Sequence, residues 1–171
     1  ALFYTPDQIK QDTTISKNVD AKYLTETILA CQDIYIHPKL GTTFYDELKD
    51  DVVAGTLSGV NKTLMDNYVR PALKWFVRAE MNYEVSFKMM NKGVMKQDSE
   101  QSTIVSDRKI DNLFERDKNK AEWYLTRLID YLRENESDYP NYQNPGTGCD
   151  VIQPDTNSFT SNLFLGGKKG Y

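Results

Sequence analysis

The chain has 171 residues, 21 Lys plus Arg against 25 Asp plus Glu, a formal net charge of −4 and 39% hydrophobic residues. A domain of this length buries about 70% of the surface its unfolded chain exposes, so a core can form. No stretch approaches the roughly 18 apolar residues of a membrane span, two cysteines make no disulfide scaffold, and net acid disfavours a strongly basic nucleic-acid binder.

Aromatic residues reach 12%, with 11 Tyr among them, which points to wet, half-apolar boundaries such as interfaces. Nothing near Ala1 has the basic start and apolar run of a signal peptide, so a reducing cytoplasm is expected. There the sequons at Asn61-Lys62-Thr63 and Asn135-Glu136-Ser137 carry no weight, and Cys31 reads as a buried free thiol.

Residues 1–19 show no long helical period and read as an N-terminal arm with an apolar tip, Leu2, Phe3 and Tyr4; Pro6 to Asp12 fits a short helix. Asp20 is a good N-cap for a first long helix whose face carries Leu24, Ile28, Cys31 and Tyr35, and His37-Pro38 is expected to end it. After a turn at Gly41, Thr43 can cap a second helix with Phe44, Leu48 and Val52 inward. Gly55 and Gly59 bracket the next break. A third helix runs from about Lys62 to Phe87 on Leu64, Tyr68, Ala72, Trp75, Ala79, Asn82 and Tyr83, kinked by Pro71.

Residues 88–106 are too long for a plain bundle turn and read as a projecting loop or β-like excursion. A fourth helix follows Ser106 and runs to about Glu134, with Ile110, Leu113, Phe114, Ala121, Tyr124, Leu125, Leu128 and Leu132 along one stripe. Seven acids, Asp117 among them, balance seven bases on its other face, the pattern of a solvated surface. Residues 138–171 hold five of nine Gly and three of six Pro, yet keep aromatic anchors, as a docking arm does. Within them Ser158–Leu165 partly alternates and suits strand addition to a partner's sheet edge. The expected fold is therefore all-α: an antiparallel bundle of about four main helices over 20–137, a long inter-helix excursion, and extended arms at 1–19 and 138–171.

Chemistry is hard to place. His37 precedes a proline and has no nucleophile partner in sequence, so it reads as a boundary residue. Asp46, Glu47, Asp50 and Asp51 spread around a short helix interrupted by Lys49, which fits a solvated face better than a metal site. Gly166-Gly167-Lys168-Lys169 lacks the spacing, hydroxyl residue and following helix of a phosphate loop. No catalytic residue, metal or cofactor is expected. Lys88, Lys92 and Lys96 form a small basic island at four-residue spacing, too small for sequence-specific reading of DNA. The candidate partner-binding residues are Phe3, Tyr4, Tyr139, Tyr142, Phe159, Leu163, Phe164 and Leu165 in the two arms.

One ordered series of short blocks goes further. Leu2-Phe3-Tyr4-Thr5 is followed by Ile34-Tyr35-Ile36-His37-Pro38-Lys39-Leu40-Gly41-Thr42-Thr43-Phe44-Tyr45-Asp46-Glu47-Leu48, then by Val69-Arg70-Pro71-Ala72-Leu73-Lys74-Trp75-Phe76. Ser86-Phe87-Lys88, Asn91-Lys92-Gly93-Val94, Ala121-Glu122-Trp123-Tyr124, Tyr131-Leu132 and Tyr139-Pro140 complete it. In this order the blocks resemble the head-to-tail connector (adaptor or ring protein) family of tailed bacteriophages, in the versions carried by phages of Bacteroidetes, the crAss-like group included. The resemblance implies a virion subunit at the head–tail junction, assembled in the host cytoplasm as a homo-oligomeric ring, usually a dodecamer. Its partners would be the portal protein, other ring or tail proteins, and packaged DNA passing through the lumen without sequence-specific binding; no membrane is involved. Lys88, Lys92 and Lys96 would then face the portal, the lumen or a neighbour. A helical protein-binding adaptor with docking arms, not viral, is the alternative.

Overall fold

A computed structural model describes residues 1–84, 87–90, 93–96 and 107–156. Its first element, α1 (Pro6–Asp12), starts at a capping box in which Thr5 accepts from the Gln8 amide and the Gln8 side chain accepts from the Thr5 amide, with Pro6 in the first turn. In α2 (Ala21–Cys31) Asp20 accepts from the Lys22 amide, and Leu24, Thr27, Ile28 and Cys31 turn inward.

His37-Pro38 does not end this helix. The chain passes through a π-helical turn (Gln32–Ile36) into α3 (His37–Leu40), with Pro38 in its first turn, and stops only at Gly41. The same device recurs downstream. α5 (Gly59–Leu64) enters a π turn (Met65–Val69) and continues as α6 (Arg70–Glu84), with Pro71 directly after it. In each case the residue before the proline donates its amide five residues back, His37 to Gln32 and Arg70 to Met65. A proline offers no amide and its ring presses on the preceding turn; one wide turn gives the ring room without breaking the helix. The expected terminator and the expected kink are thus one structural solution used twice.

Between them lies α4 (Thr42–Ala54), which buries Phe44, Tyr45 and Leu48. It ends at Gly55, whose φ of 68° lets its amide and that of Thr56 reach back to Asp51 and Val52. α7 (Asp107–Glu134) is antiparallel to α6. Tyr83 meets Asp111 and Phe114, Arg78 meets Asp117, Trp75 meets Lys120, and Tyr68 meets Arg127 and Tyr131, so one numbering falls as the other rises. α2 packs on another side of α6, which makes α6 the centre of an all-α bundle. The β-like excursion is a two-stranded antiparallel hairpin, β1 (Phe87–Met90) with β2 (Gly93–Lys96), in the register Phe87 to Lys96 and Met90 to Gly93. A 3₁₀ turn (Glu136–Asp138) and α8 (Pro140–Gln143) follow α7.

Both arms, as far as they are described, fold back on the bundle instead of extending from it. Phe3, Tyr4, Ile9, Tyr139 and Tyr142 belong to the buried core with Leu24, Phe44, Leu48, Leu73 and Leu128. Phe3 and Ile9 are sealed from solvent, and burial of such a side chain stabilises by about 1.5–3 kcal/mol. Thr42 and Ile152 exchange two hydrogen bonds, backbone to backbone and backbone to hydroxyl; Asp155 donates its amide to Pro38 and pairs with Lys39; Arg133 reaches the carbonyl of Thr156. Residues 151–156 therefore strap the α3–α4 corner to the end of α7.

Candidate functional site

The residues with chemical potential resolve into structural roles. His37 Nε2 lies 3.0 Å from Thr42 Oγ1 and its ring stacks on Tyr45 at 4.5 Å, which fixes the α3–α4 corner. In the acidic cluster, Glu47 and Asp51 accept from Asn61, Glu47 also accepts from Asn141, and Asp46 pairs with Lys49. Among the described residues no group of three or more His, Cys, Asp or Glu is placed to hold a metal ion. Cys31 is buried and free, and burial pushes its thiol far above the ordinary value, which removes it from nucleophilic work.

One cavity of about 260 Å³ lies between the N-terminal arm and α6, lined by Tyr4, Gln8, Asp12, Asp66, Arg70, Pro71 and Lys74. Most of its charge is already engaged. Tyr4 donates to Asp12, Arg70 pairs with Asp66, Lys62 stands 3.3 Å from Asp66, and Arg70 Nε donates to the Phe3 carbonyl. These contacts describe an anchorage for the arm. The sequence reading of Phe3, Tyr4, Tyr139 and Tyr142 as partner contacts is corrected by the same geometry, because each ring is buried against its own chain. Phe3 packs edge-on to Tyr45, and Tyr139 and Tyr142 close over Phe44.

The surface is more informative. On α7, Trp123 remains 59% exposed, with Lys120 one turn before it, Arg127 one turn after it and Arg116 a further turn back. Arg116, Lys120 and Arg78 of α6 converge on the carboxylate of Asp117 at 3.2, 3.7 and 3.0 Å, and Asp117 is wholly buried. One carboxylate thus serves three cations. Trp75 lies beneath the same group, with Lys120, Arg78 and Lys74 at 4.3, 5.1 and 5.8 Å from its ring, and Arg127 sits over Tyr68 at 4.8 Å. This face is cationic and aromatic. Asp117 is therefore not part of the solvated face to which its charge assigned it.

On α2 and its π turn the outer face is of opposite character. Tyr23 is 53% exposed and Ile34 62%, Leu29 is also exposed, and two acids, Glu26 and Asp33, stand among them with one base, Lys22. Asp33 accepts from the Tyr45 hydroxyl at 2.7 Å. Tyr35, next along, turns inward, stacks on Phe76 at 4.0 Å and donates to Glu80. Burial first, then that carboxylate, raises its phenol well above the ordinary value.

Of the remaining residues singled out from sequence, Lys88 and Lys96 fall on paired strands, opposite Met95 and Phe87. Lys92, Phe159, Leu163, Phe164 and Leu165 lie outside the described residues. Sequence reasoning missed Gln32, Asp117 and Trp123. Two of these had a signal: Ile110, Asp117, Ala121 and Leu128 follow a 7, 4, 7 spacing that puts the acid on the buried stripe, and Trp123 stands amid bases at helical intervals. Gln32 had none, since its burial depends on a π turn and on a segment thirty residues away.

No helix among the described residues is long and apolar enough to cross a membrane. No curated protein and no solved structure matches the chain. A family profile described as a family of unknown function, DUF6712, matches residues 36–152, more than half of the chain and all of α3 to α8. The chain belongs to the DUF6712 family.

Proposed function

We propose that this protein is a structural virion protein, the subunit of a head-to-tail connector ring that docks below the portal, extends the DNA channel and offers a platform for the tail. The observation that supports this best is the presence of two unlike exposed faces on one small bundle. Tyr23, Leu29 and Ile34 mark α2, and Trp123 marks α7. Val53, Val60 and Ile152 are open as well, and large apolar groups left open on several separate elements suit a subunit with a neighbour on each side, as a ring requires. The ordered series of blocks from Leu2 to Pro140 agrees with this reading, and most of it falls inside the family's matched stretch. A net charge of −4 per chain, repeated around a ring, discourages tight phosphate contacts with moving DNA.

Electron microscopy of the assembled particle tests the proposal. A closed ring of this chain at the head–tail junction is the expected result; absence of the chain from virions, or its presence there as single copies, overturns it.

A further inference from the structure

We infer that the acidic, apolar face of α2 docks on the cationic, aromatic face of α7 of a second copy of this chain. The inference rests on the ring reading and names the two surfaces that would make the ring. The first argument is charge. Glu26 and Asp33 outnumber the one base, Lys22, around Tyr23, Leu29 and Ile34 on α2, while Arg116, Lys120 and Arg127 outnumber Asp130 around Trp123 on α7. Asp117 and Asp130 together can balance only two of Arg78, Arg116, Lys120 and Arg127, so the α7 face keeps an excess of positive charge. Opposed fields of this kind steer encounter and fix register.

The second argument is dimension. Tyr23 to Ile34 and Arg116 to Arg127 each span eleven residue steps, about 16 Å of helix, so the two stripes match in length. Each also has a large apolar residue for the middle or ends of the contact: Tyr23, Leu29 and Ile34 on one, Trp123 on the other. Aromatic and aliphatic anchors inside a charged rim are the usual composition of a specific interface.

The third argument is topology. α2 and α7 both lean on α6 and each turns its outer side to solvent, so one copy presents both halves of the contact at once. Because α2 and α7 lie on separate sides of α6, their unlike faces cannot both meet their counterparts in one two-fold dimer. They join head to tail, and every added copy leaves one face of each kind open until the chain of subunits closes. A double-stranded nucleic acid on the cationic face is the competing occupant. The buried Asp117 among its cations and the exposed indole beside them suit a protein face better than a phosphate track.

The test uses two variants of the full chain, each altered at one face only: Glu26→Lys with Ile34→Lys on α2, and Trp123→Ala with Arg127→Ala on α7. Circular dichroism and thermal melting confirm that both fold, as exposed positions allow. Light scattering after gel filtration then gives the mass. The wild type is expected to exceed a monomer, each variant alone to be monomeric, and their equimolar mixture to form a 1:1 dimer that grows no further. That dimer joins the intact α2 face of one variant to the intact α7 face of the other. A wild-type oligomer that survives either variant discards these faces and leaves the ring standing. A wild type that stays monomeric at every concentration, and shifts on duplex DNA through Trp123 and Arg127, overturns both the pairing and the ring. A mixture that stays monomeric also rejects the pairing.

Discussion

Arg70 donates its Nε hydrogen to the carbonyl oxygen of Phe3 at 2.8 Å, while Gln32 accepts the amide of that same residue at 2.7 Å. The two side chains flank the two π turns, so both helix irregularities converge on one residue of the N-terminal arm. Gln32 further donates to the Ala1 carbonyl at 3.2 Å and to the Tyr45 hydroxyl at 3.4 Å, which uses both of its amide hydrogens in a fully buried site.

Gln32→Leu leaves the Phe3 amide buried without a partner, a loss of about 1–3 kcal/mol. The urea midpoint should fall, and limited proteolysis should open the chain before α1 first. An unchanged midpoint with an intact N-terminus means that the arm is held by Phe3 and Ile9 packing alone.

Asp117 gives a second expectation. Removing one partner of a buried ion pair costs about 3–5 kcal/mol, because the remaining charge is stranded, whereas replacing both by apolar groups is often far milder. Arg78→Met, which takes the nearest cation from the wholly buried Asp117 carboxylate, should therefore be severe by chemical denaturation, and Arg78→Met combined with Asp117→Leu less so than the single change. If the double variant is the weaker of the two, Arg116 and Lys120 are the partners that matter.

Gly41 and Gly55 both have positive φ, 76° and 68°, but only Gly41 is crowded. A Cβ there would stand 2.8 Å from two carbons of Pro154 and 3.1 Å from the Ile152 carbonyl, while at Gly55 it would meet open space. Gly55→Ala should lose only the left-handed penalty, about 1–2 kcal/mol. Gly41→Ala should lose more and free the 151–156 strap to proteases. Cutting the chain after Pro145 should mimic it. Equal effects of the two glycine changes would show that the strap contributes nothing.

Alkaline pH should unfold the protein. Tyr45 and Tyr35 have phenols raised first by burial, with Asp33 and Glu80 as acceptors raising them further. Above the ordinary value near 10 the unfolded chain sheds these protons and the folded one keeps them. The folded state then binds more protons, so stability, complete below that pH, falls as pH rises. Tyrosinate absorbance should appear together with loss of helical signal, and Tyr35→Phe should flatten the decline. Tyrosine ionisation that runs to completion while the helices persist would contradict this.

The helices were legible because their signals are local. Pro6 and Asp20 announce starts, and Leu24, Ile28 and Cys31 or Ala121, Leu128 and Leu132 mark inner faces by spacing alone. What escaped was non-local. A proline's remedy, whether a stop or a wide turn, is decided by what the continuing helix can bury, and here Leu40 and Leu73 are worth burying. Phe3 and Tyr139 looked like anchors for another molecule because an aromatic in an open segment reads the same whether its socket is foreign or its own. The exposed faces showed the reverse weakness: Tyr23 and Ile34 were passed over because they fall off the core stripe, which is what makes them available.

The antiparallel pairing of α6 and α7 also gives the subunit a direction. The β1–β2 hairpin leaves from one end of that pair, while Arg70, the arm at Phe3 and the strap ending at Thr156 gather at the other, α6 alone separating them by about 22 Å. If the proposed ring joins its subunits head to tail with this axis along the channel, its top and bottom rims are unlike and present different surfaces to the neighbours above and below.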